Sequence, residues 1–348
     1  MIFCGDIASP EASIRIDIPD ELRRKNWFVN LEGSLIEASQ VDEMRTLNRV
    51  FNNVDIIKQL SKLLNIKVFS LANNHIEDCN TVDNTVRKLE NMGLAHVGGG
   101  INIEEAETPI VVPDENLTVL SFGWDVIKCP WATANKSGVN PYNRKHVLAT
   151  VKKNLQQAEN LICFFHWGYE LEAYPLPYDR KLAHELIEMG VNAVIGCHAH
   201  RVQQIEIYKG RPIVYGLGNF LFPHNVFWNG RLRFPDFVRQ ELAFELKDND
   251  EFIAHWFDFD SATNHLQYTR SERIEPDSEA FVGRAEYTGI TDCEYDKFFS
   301  IHRHHKKMIP IFRSNESIFS HRLKSDIVKL RGKAIDLLVK MNLKAKKK

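Results

Sequence analysis

The residues of this sequence best able to do chemistry sit at the ends of apolar runs. Leu161 to Phe165 leads into His166, and Ala193 to Gly196 leads into Cys197, His198, Ala199 and His200. Ile66 to Leu71 leads into Asn73, Asn74 and His75; Trp27 to Leu31 leads into Glu32-Gly33; Ile2 to Cys4 leads into Gly5-Asp6. Together Asp6, Glu32, Asn74, His75, His166, His198 and His200 offer carboxylate, carboxamide and imidazole donors. That mixture of N and O ligands suits Mn, Zn or Fe, not Ca or a sulfur-rich site. Seven candidates are too many for one tetrahedral ion and suit two. Two divalent ions ~3.5–4 Å apart lower the pKa of a shared water and clamp the oxygens of an in-line displacement at phosphorus. Each piece alone has an ordinary reading. Gly-Asp pairs mark turns, Asn73 or Asn74 can cap a helix, and a single histidine can be a core residue. The weight lies in the ordered set.

Short apolar runs of this kind are buried strands. Between the two histidine-bearing runs, Tyr178 to Met189 has helix length and is closed by Gly190. Strand, helix, strand implies parallel pairing, and in open α/β sheets the ligand site lies beyond the carboxyl ends of the strands. Helical spacing also predicts helices over Asp42 to Leu64, Thr81 to Met92 (ended by Gly93) and Arg144 to Ala158. Leu117 to Gly123 is a further strand, and the Pro-, Gly- and aromatic-rich loop to Asn143 has the length to shape a substrate mouth. Gly98-Gly99-Gly100 lacks the Lys-Ser/Thr of a P-loop and reads as a turn. Gln203 to Tyr208 and Pro212 to Tyr215 read as a hairpin, and Asn219 is expected to hydrogen-bond a loop near the site. Glu241 to Leu246 and Phe252 to Phe259 alternate as antiparallel strands do. Residues 270–300 read as loop and short helix.

At 348 residues, with 44% hydrophobic and 26% charged residues, the chain has the composition of a globular protein. No apolar run approaches the ~20 residues of a membrane span. The opening Met1-Ile2-Phe3-Cys4-Gly5-Asp6 enters a strand without a basic n-region or an h-region. Its six cysteines show no CxxC spacing. Both features predict a cytoplasmic protein. The net charge of -2 hides an asymmetry: residues 301–348 hold 14 Lys+Arg against 3 Asp+Glu, a local +11, which leaves the body at -13. Ser314 to Met341 reads as a helix whose Phe319, Leu323, Ile327, Leu330, Ala334, Leu338 and Met341 form one apolar stripe among basic residues. Two readings stand side by side. The stripe docks on the body or a partner copy, or it lies on an anionic membrane surface, each basic residue contributing ~1 kcal/mol. An acidic body makes nucleic acid an unsuitable partner.

The ordered motifs GD, NLEG, NNH, HWGxE, GxHxH and IVYGLGNFLF resemble those of the poly-γ-glutamate capsule-synthesis (CapA-type) proteins, within the calcineurin-like metallophosphatase superfamily. The resemblance spans roughly residues 1–260 and is strongest from His166 to Phe222. It implies an α/β fold, a four-layer αββα sandwich of two β-sheets flanked by helices. It also implies a division into residues 1–265 as the metallophosphatase-like domain, 266–312 as a peripheral extension and 313–348 as a basic amphipathic helix and tail. Carried over motif by motif, Asp6 and His200 bind the first of two divalent transition-metal ions, and Glu32 bridges both. Asn74, His166 and His198 bind the second ion. His75 protonates the leaving group or steadies the transition state, and Glu170 lines the pocket. Two departures stand out: Ala8 occupies the place of the histidine in the common Asp-x-His motif, and Glu32 serves where Asp is usual.

The implied function is a metal-dependent hydrolase of phosphoester or polymer-linked bonds in capsule or exopolymer biosynthesis. The alternative is a non-catalytic assembly factor that joins a polymer synthase complex. In either case the expected partners are a phosphorylated or polymer substrate and, through the C-terminal helix, the inner face of an anionic membrane.

Overall fold

In the computed structural model, residues 1–11, 15–247, 251–260, 262–274, 285–304 and 309–340 are described. Two large sheets organise the chain. The first runs in the order Arg15–Asp17, His265–Ile274, Phe252–Asp260, Gln240–Leu246, Ile2–Ile7, Trp27–Leu31, Ile66–Ser70, Ala95–Val97, with Asn219–Leu221 also paired to Ile2–Ile7. The second runs Ile205–Tyr208, Arg211–Val214, Ala193–Cys197, Leu161–His166, Leu117–Gly123, Ile110–Val112. The strands expected to carry the site are mutually parallel within each sheet.

Their sequences explain the layering. Side chains alternate along a strand, and here both faces are apolar. In the first sheet Phe3 and Phe28 face inward while Ile2, Cys4, Trp27 and Val29 face outward. In the second, Ile162 and Phe164 face inward while Leu161, Cys163 and Phe165 face outward. The inward sets meet between the sheets, where Phe28 and Phe164 pack at 4.9 Å. The outward sets are covered by helices: Val54–Leu63 and Val82–Asn91 on the first sheet, Arg144–Asn154, Pro177–Met189 and Asp292–His302 on the second. The result is the expected α/β four-layer sandwich.

Several local expectations need correction. Asp42 to Leu64 is not one helix. It is a short helix Val41–Arg45, a strand Phe51–Asn53 and a helix Val54–Leu63. Phe51–Asn53 pairs with Ser34–Ile36, and Asn53 Oδ1 caps the second helix by accepting from Asp55 N–H. The sheet pairing and the cap override the apolar periodicity. Gly99–Gly100 is a strand paired with Gly138–Val139, not a turn. A Cβ at Gly99 would lie 2.8 Å from that of Leu71, so the glycines permit close approach of chains. Residues 270–300 hide the end of the ten-residue strand His265–Ile274, whose alternation is blurred by solvent exposure on one face. The final helix spans Ile318–Lys340. Met341 and the terminal Lys-Ala-Lys-Lys-Lys lie outside the described residues.

Candidate metal centre

Each candidate residue lies at or just past the carboxyl end of a strand. Asp6 and His166 are in the final residues of Ile2–Ile7 and Leu161–His166. Glu32 follows Trp27–Leu31, Asn74 and His75 follow Ile66–Ser70, and His198 and His200 follow Ala193–Cys197. Gly33, at φ +100°, turns the chain directly after Glu32, and its N–H donates to Asn73 Oδ1 at 3.2 Å. Asn73 also donates to Leu31 O at 2.8 Å, so it ties the two loops together and is not itself a donor to the site. His198 and His200 both adopt left-handed φ, +90° and +52°. Such conformations cost on the order of 1–3 kcal/mol each and persist where surrounding structure imposes them.

The loops bring the candidates together as two sets. Asp6, Glu32 and His200 are fully buried, with ligand atoms within 4.8 Å of one another. Asn74 Oδ1 lies 2.7 Å from His166 Nε2, which lies 3.1 Å from His198 Nδ1. The sets share a wall: His166 Nδ1 is 4.0 Å from Asp6 Oδ1. His75 sits at the rim, with Nε2 3.7 Å from Glu32 Oε1. Glu170 is half-buried, and its charge acts on both His166 and His198.

Burial pushes His166 down to about 3 and His198 well below the usual histidine range, so both are neutral at pH 7 with lone pairs available. Burial alone would raise the Asp6 carboxyl. The hydrogen bond from His200, with the His166 ring beside it, outweighs burial and holds Asp6 well below the carboxylate range. Asn219 Oδ1 lies 2.8 Å from His200 Nδ1, as expected of a residue supporting the site. With Nδ1–H donating to that oxygen, His200 Nε2, on the Glu32 side, is left as the metal-donor atom.

Three supporting residues were not singled out from sequence. Asn30 donates from Nδ2 to Asp6 Oδ1 at 2.7 Å and lies 3.5 Å from His166 Nδ1. Asp78 Oδ2 lies 2.8 Å from His75 Nδ1, and the His-x-x-Asp spacing of His75 and Asp78 was the available signal. Cys197 Sγ lies 3.1 Å from His166 Nδ1, completing a third cluster with Asp6. Burial raises its thiol far above the usual range, so it stays protonated.

These residues fit divalent cations. Among the described residues the ion-pair partners of Asp6 are histidines alone, and the buried Asn30 Oδ1 beside it has no hydrogen-bond partner. A buried carboxylate with no lysine or arginine beside it among the described residues calls for positive charge. Ala8, in contrast, is fully buried in an apolar cluster with Phe222, Phe227 and Phe234. Position 8 itself supplies no imidazole.

Residues 14–224 match the family model described as "Bacterial capsule synthesis protein PGA_cap". Glu32, Asn74, His166, His198 and His200 fall inside that span, and Asp6 precedes it. The chain is 29% identical over 175 residues to the PGA biosynthesis protein CapA of Bacillus subtilis (strain 168), covering 49% of this chain and 46% of that protein. It is 27% identical over 163 residues to the capsule biosynthesis protein CapA of Bacillus anthracis, covering 44% and 40%. The matches therefore span less than half the length of these relatives. A solved 5'-nucleotidase precursor from Thermus thermophilus aligns with 78% of this chain and 53% of its own, at 12% identity and TM-score 0.38. That level carries no argument about activity.

Proposed function

This chain belongs to the bacterial capsule synthesis protein PGA_cap family, and we propose that it is a dinuclear metal-dependent hydrolase of phosphoester or polymer-linked bonds. One observation carries the reading: two adjoining donor sets, Asp6/Glu32/His200 and Asn74/His166/His198, with no lysine or arginine paired to Asp6 among the described residues. Asp6 and His200 would hold the first ion, Asn74, His166 and His198 the second, with Glu32 between them. The mixed N and O donors favour Mn, Zn or Fe. When bound, such ions supply Lewis acidity and a lowered pKa for water.

The remaining steps fall to the protein. Asp78, at 2.8 Å from Nδ1, orients the His75 ring and leaves Nε2 facing the site. His75 delivers a proton to the departing oxygen, and Asp78 stabilises the imidazolium form. Glu170 lines the approach and restricts which substrates reach His166 and His198. Membership of the family supports a substrate among phosphorylated or polymeric components of capsule or exopolymer synthesis.

The test is elemental analysis of protein purified without chelator, beside His198→Ala. Two transition-metal ions per chain are expected, with fewer in the variant. None in either protein after reconstitution rejects the reading. His75→Ala should keep its metal and lose about 10²–10⁴-fold in turnover; unchanged turnover removes the role given to His75.

Ala8 favours a second reading. With Ala8 in apolar packing, Asp6, Glu32 and His200 are the side-chain donors gathered for the first ion among the described residues. One ion per chain, and full complementation of polymer synthesis by His198→Ala, would support a non-catalytic assembly factor acting with a polymer synthase.

A further inference from the structure

The Ile318–Lys340 helix docks on the body by one face and leaves its apolar stripe on the other. At 100° per residue, His321, Ser325, Val328 and Gly332 share a face. This face meets the body: Val328 packs on the cluster beneath Pro177–Met189, Ser325 is buried, and His321 stacks on Tyr178 at 4.6 Å and Phe312 at 4.8 Å. Ion pairs pin the helix along its length. Lys324 pairs with Glu316, Lys329 with Asp125, and Asp336 with Lys128 at 2.6 Å.

The stripe anticipated from sequence is the other face, and it points away from the body. Phe319 is 78% exposed, Leu323 51%, Leu330 64% and Leu337 57%, with Ile327 and Leu338 also exposed. These positions extend over roughly 29 Å of helix at 1.5 Å per residue. A contiguous apolar surface of this kind marks an interaction site. Rotating the helix to bury it would break the pairs at Asp125 and Lys128. The margins of the stripe are basic on both sides: Arg322 and Lys333 on one edge, Arg331 on the other. Asp326 is the acidic residue nearest the stripe.

We propose that this helix lies on an anionic lipid surface, its outward stripe inserted among acyl chains and its basic margins against phosphate headgroups. A second copy fits less well. Pairing two such stripes would set the basic edges of one helix against those of the other, where like charges repel. Lipid phosphates complement both edges at once. Among the described residues no helix is long and apolar enough to cross a membrane, so the contact is one of lying on the surface. The docked face fixes how the body meets that surface. The helix holds the Asp125–Lys128 turn, and the adjoining Trp124 N–H donates to His166 O at 3.2 Å. The lipid contact is thus linked through one turn to the strand end that bears the metal centre.

The experiment is flotation of the full chain with vesicles of phosphatidylcholine alone and of phosphatidylcholine mixed with phosphatidylglycerol. Binding to the mixed vesicles alone, weakening as salt is raised, is expected. Leu323→Glu with Leu330→Glu should abolish it, and these exposed sites leave folding intact. Arg322→Gln and Arg331→Gln should each weaken it about fivefold. Absence of binding to mixed vesicles, or equal binding by the double glutamate variant, overturns the proposal. Concentration-dependent dimerisation lost in that variant, without vesicle binding, overturns it in favour of a second copy. The assay reads neither metal nor turnover, so it stands or falls apart from the hydrolase reading.

Discussion

Glu206 and Asp6 are both buried carboxylates with histidine neighbours, yet their charges are met in different ways. Arg180, itself buried, donates to Glu206 from Nη2 at 2.8 Å and from Nε at 3.1 Å. Tyr215 O–H adds 2.7 Å and His184 Nε2 lies at 3.1 Å. Burial would raise the Glu206 carboxyl, but His184 and Arg180 outweigh it and keep the group ionised. The ring of Tyr295 backs the guanidinium at 4.7 Å. That cluster is electrically complete. Around Asp6 stand Asn30, His166 and His200, and no guanidinium or ammonium pairs with it among the described residues. Both clusters set a buried carboxylate beside histidine, so that pairing alone does not mark a site. What distinguishes them is whether the protein supplies the countercharge.

The largest effect expected from this contrast is at the complete cluster. Arg180→Ala leaves Glu206 buried without its cation and should cost about 3–5 kcal/mol of stability. Its metal content should match that of the wild type. Urea unfolding and elemental analysis of the same preparation check both halves; a stability loss below about 1 kcal/mol would erase the distinction.

A smaller effect is expected at the metal centre. Adding Mn or Zn to chelator-treated protein should stabilise it by about 2.7 kcal/mol at a hundredfold excess over Kd. Arg180→Ala should gain the same increment and His166→Ala far less. Thermal unfolding with and without metal measures it. Equal gains in wild type and His166→Ala would mean that the ions bind elsewhere.

The contrast also shows what the sequence could carry. Strand-end donors were legible because a parallel sheet delivers its strand ends to one edge, so the place of His166, His198 and Asn74 followed from apolar runs alone. The four-layer arrangement came with the motif resemblance, and the alternating inward and outward residues of Leu161–His166 account for it physically. Asn30 was not legible, since a polar residue inside a strand looks like any other, and Asp78 was signalled only by its His-x-x-Asp spacing from His75. The Arg180–Glu206 pair joins residues 26 apart, and nothing local announces it. Periodicity revealed the stripe from Phe319 to Leu338 but not its direction. That depended on polar pairs with Asp125 and Lys128, far away in the chain. The helix expected over Asp42 to Leu64 failed for a related reason: Phe51–Asn53 found a partner strand, which no pattern within the segment encodes.

Asp179 adds a third way to neutralise a buried carboxylate, by keeping a proton. It is buried beside Arg180 in sequence, but that guanidinium is committed to Glu206. Asp179 Oδ1 accepts from Tyr142 O–H at 2.5 Å, and its Oδ2 has no hydrogen-bond partner among the described residues. Burial, opposed only in part by Tyr142, pushes its carboxyl up to about 7. The native state therefore holds this proton more tightly than the unfolded chain, whose aspartate titrates near ~3.9. The sign follows from linkage: the native state binds more protons between the two values, so stability falls as pH rises through that window and levels off above about 7. Asp179→Asn removes this dependence while keeping an acceptor for Tyr142. The variant's stability relative to wild type should rise by about 2 kcal/mol between roughly pH 5 and pH 8. Urea midpoints at both values measure it, in chelator so that metal occupancy does not vary. A difference that stays constant across the window would mean that Asp179 is ionised throughout and holds no proton in the native state.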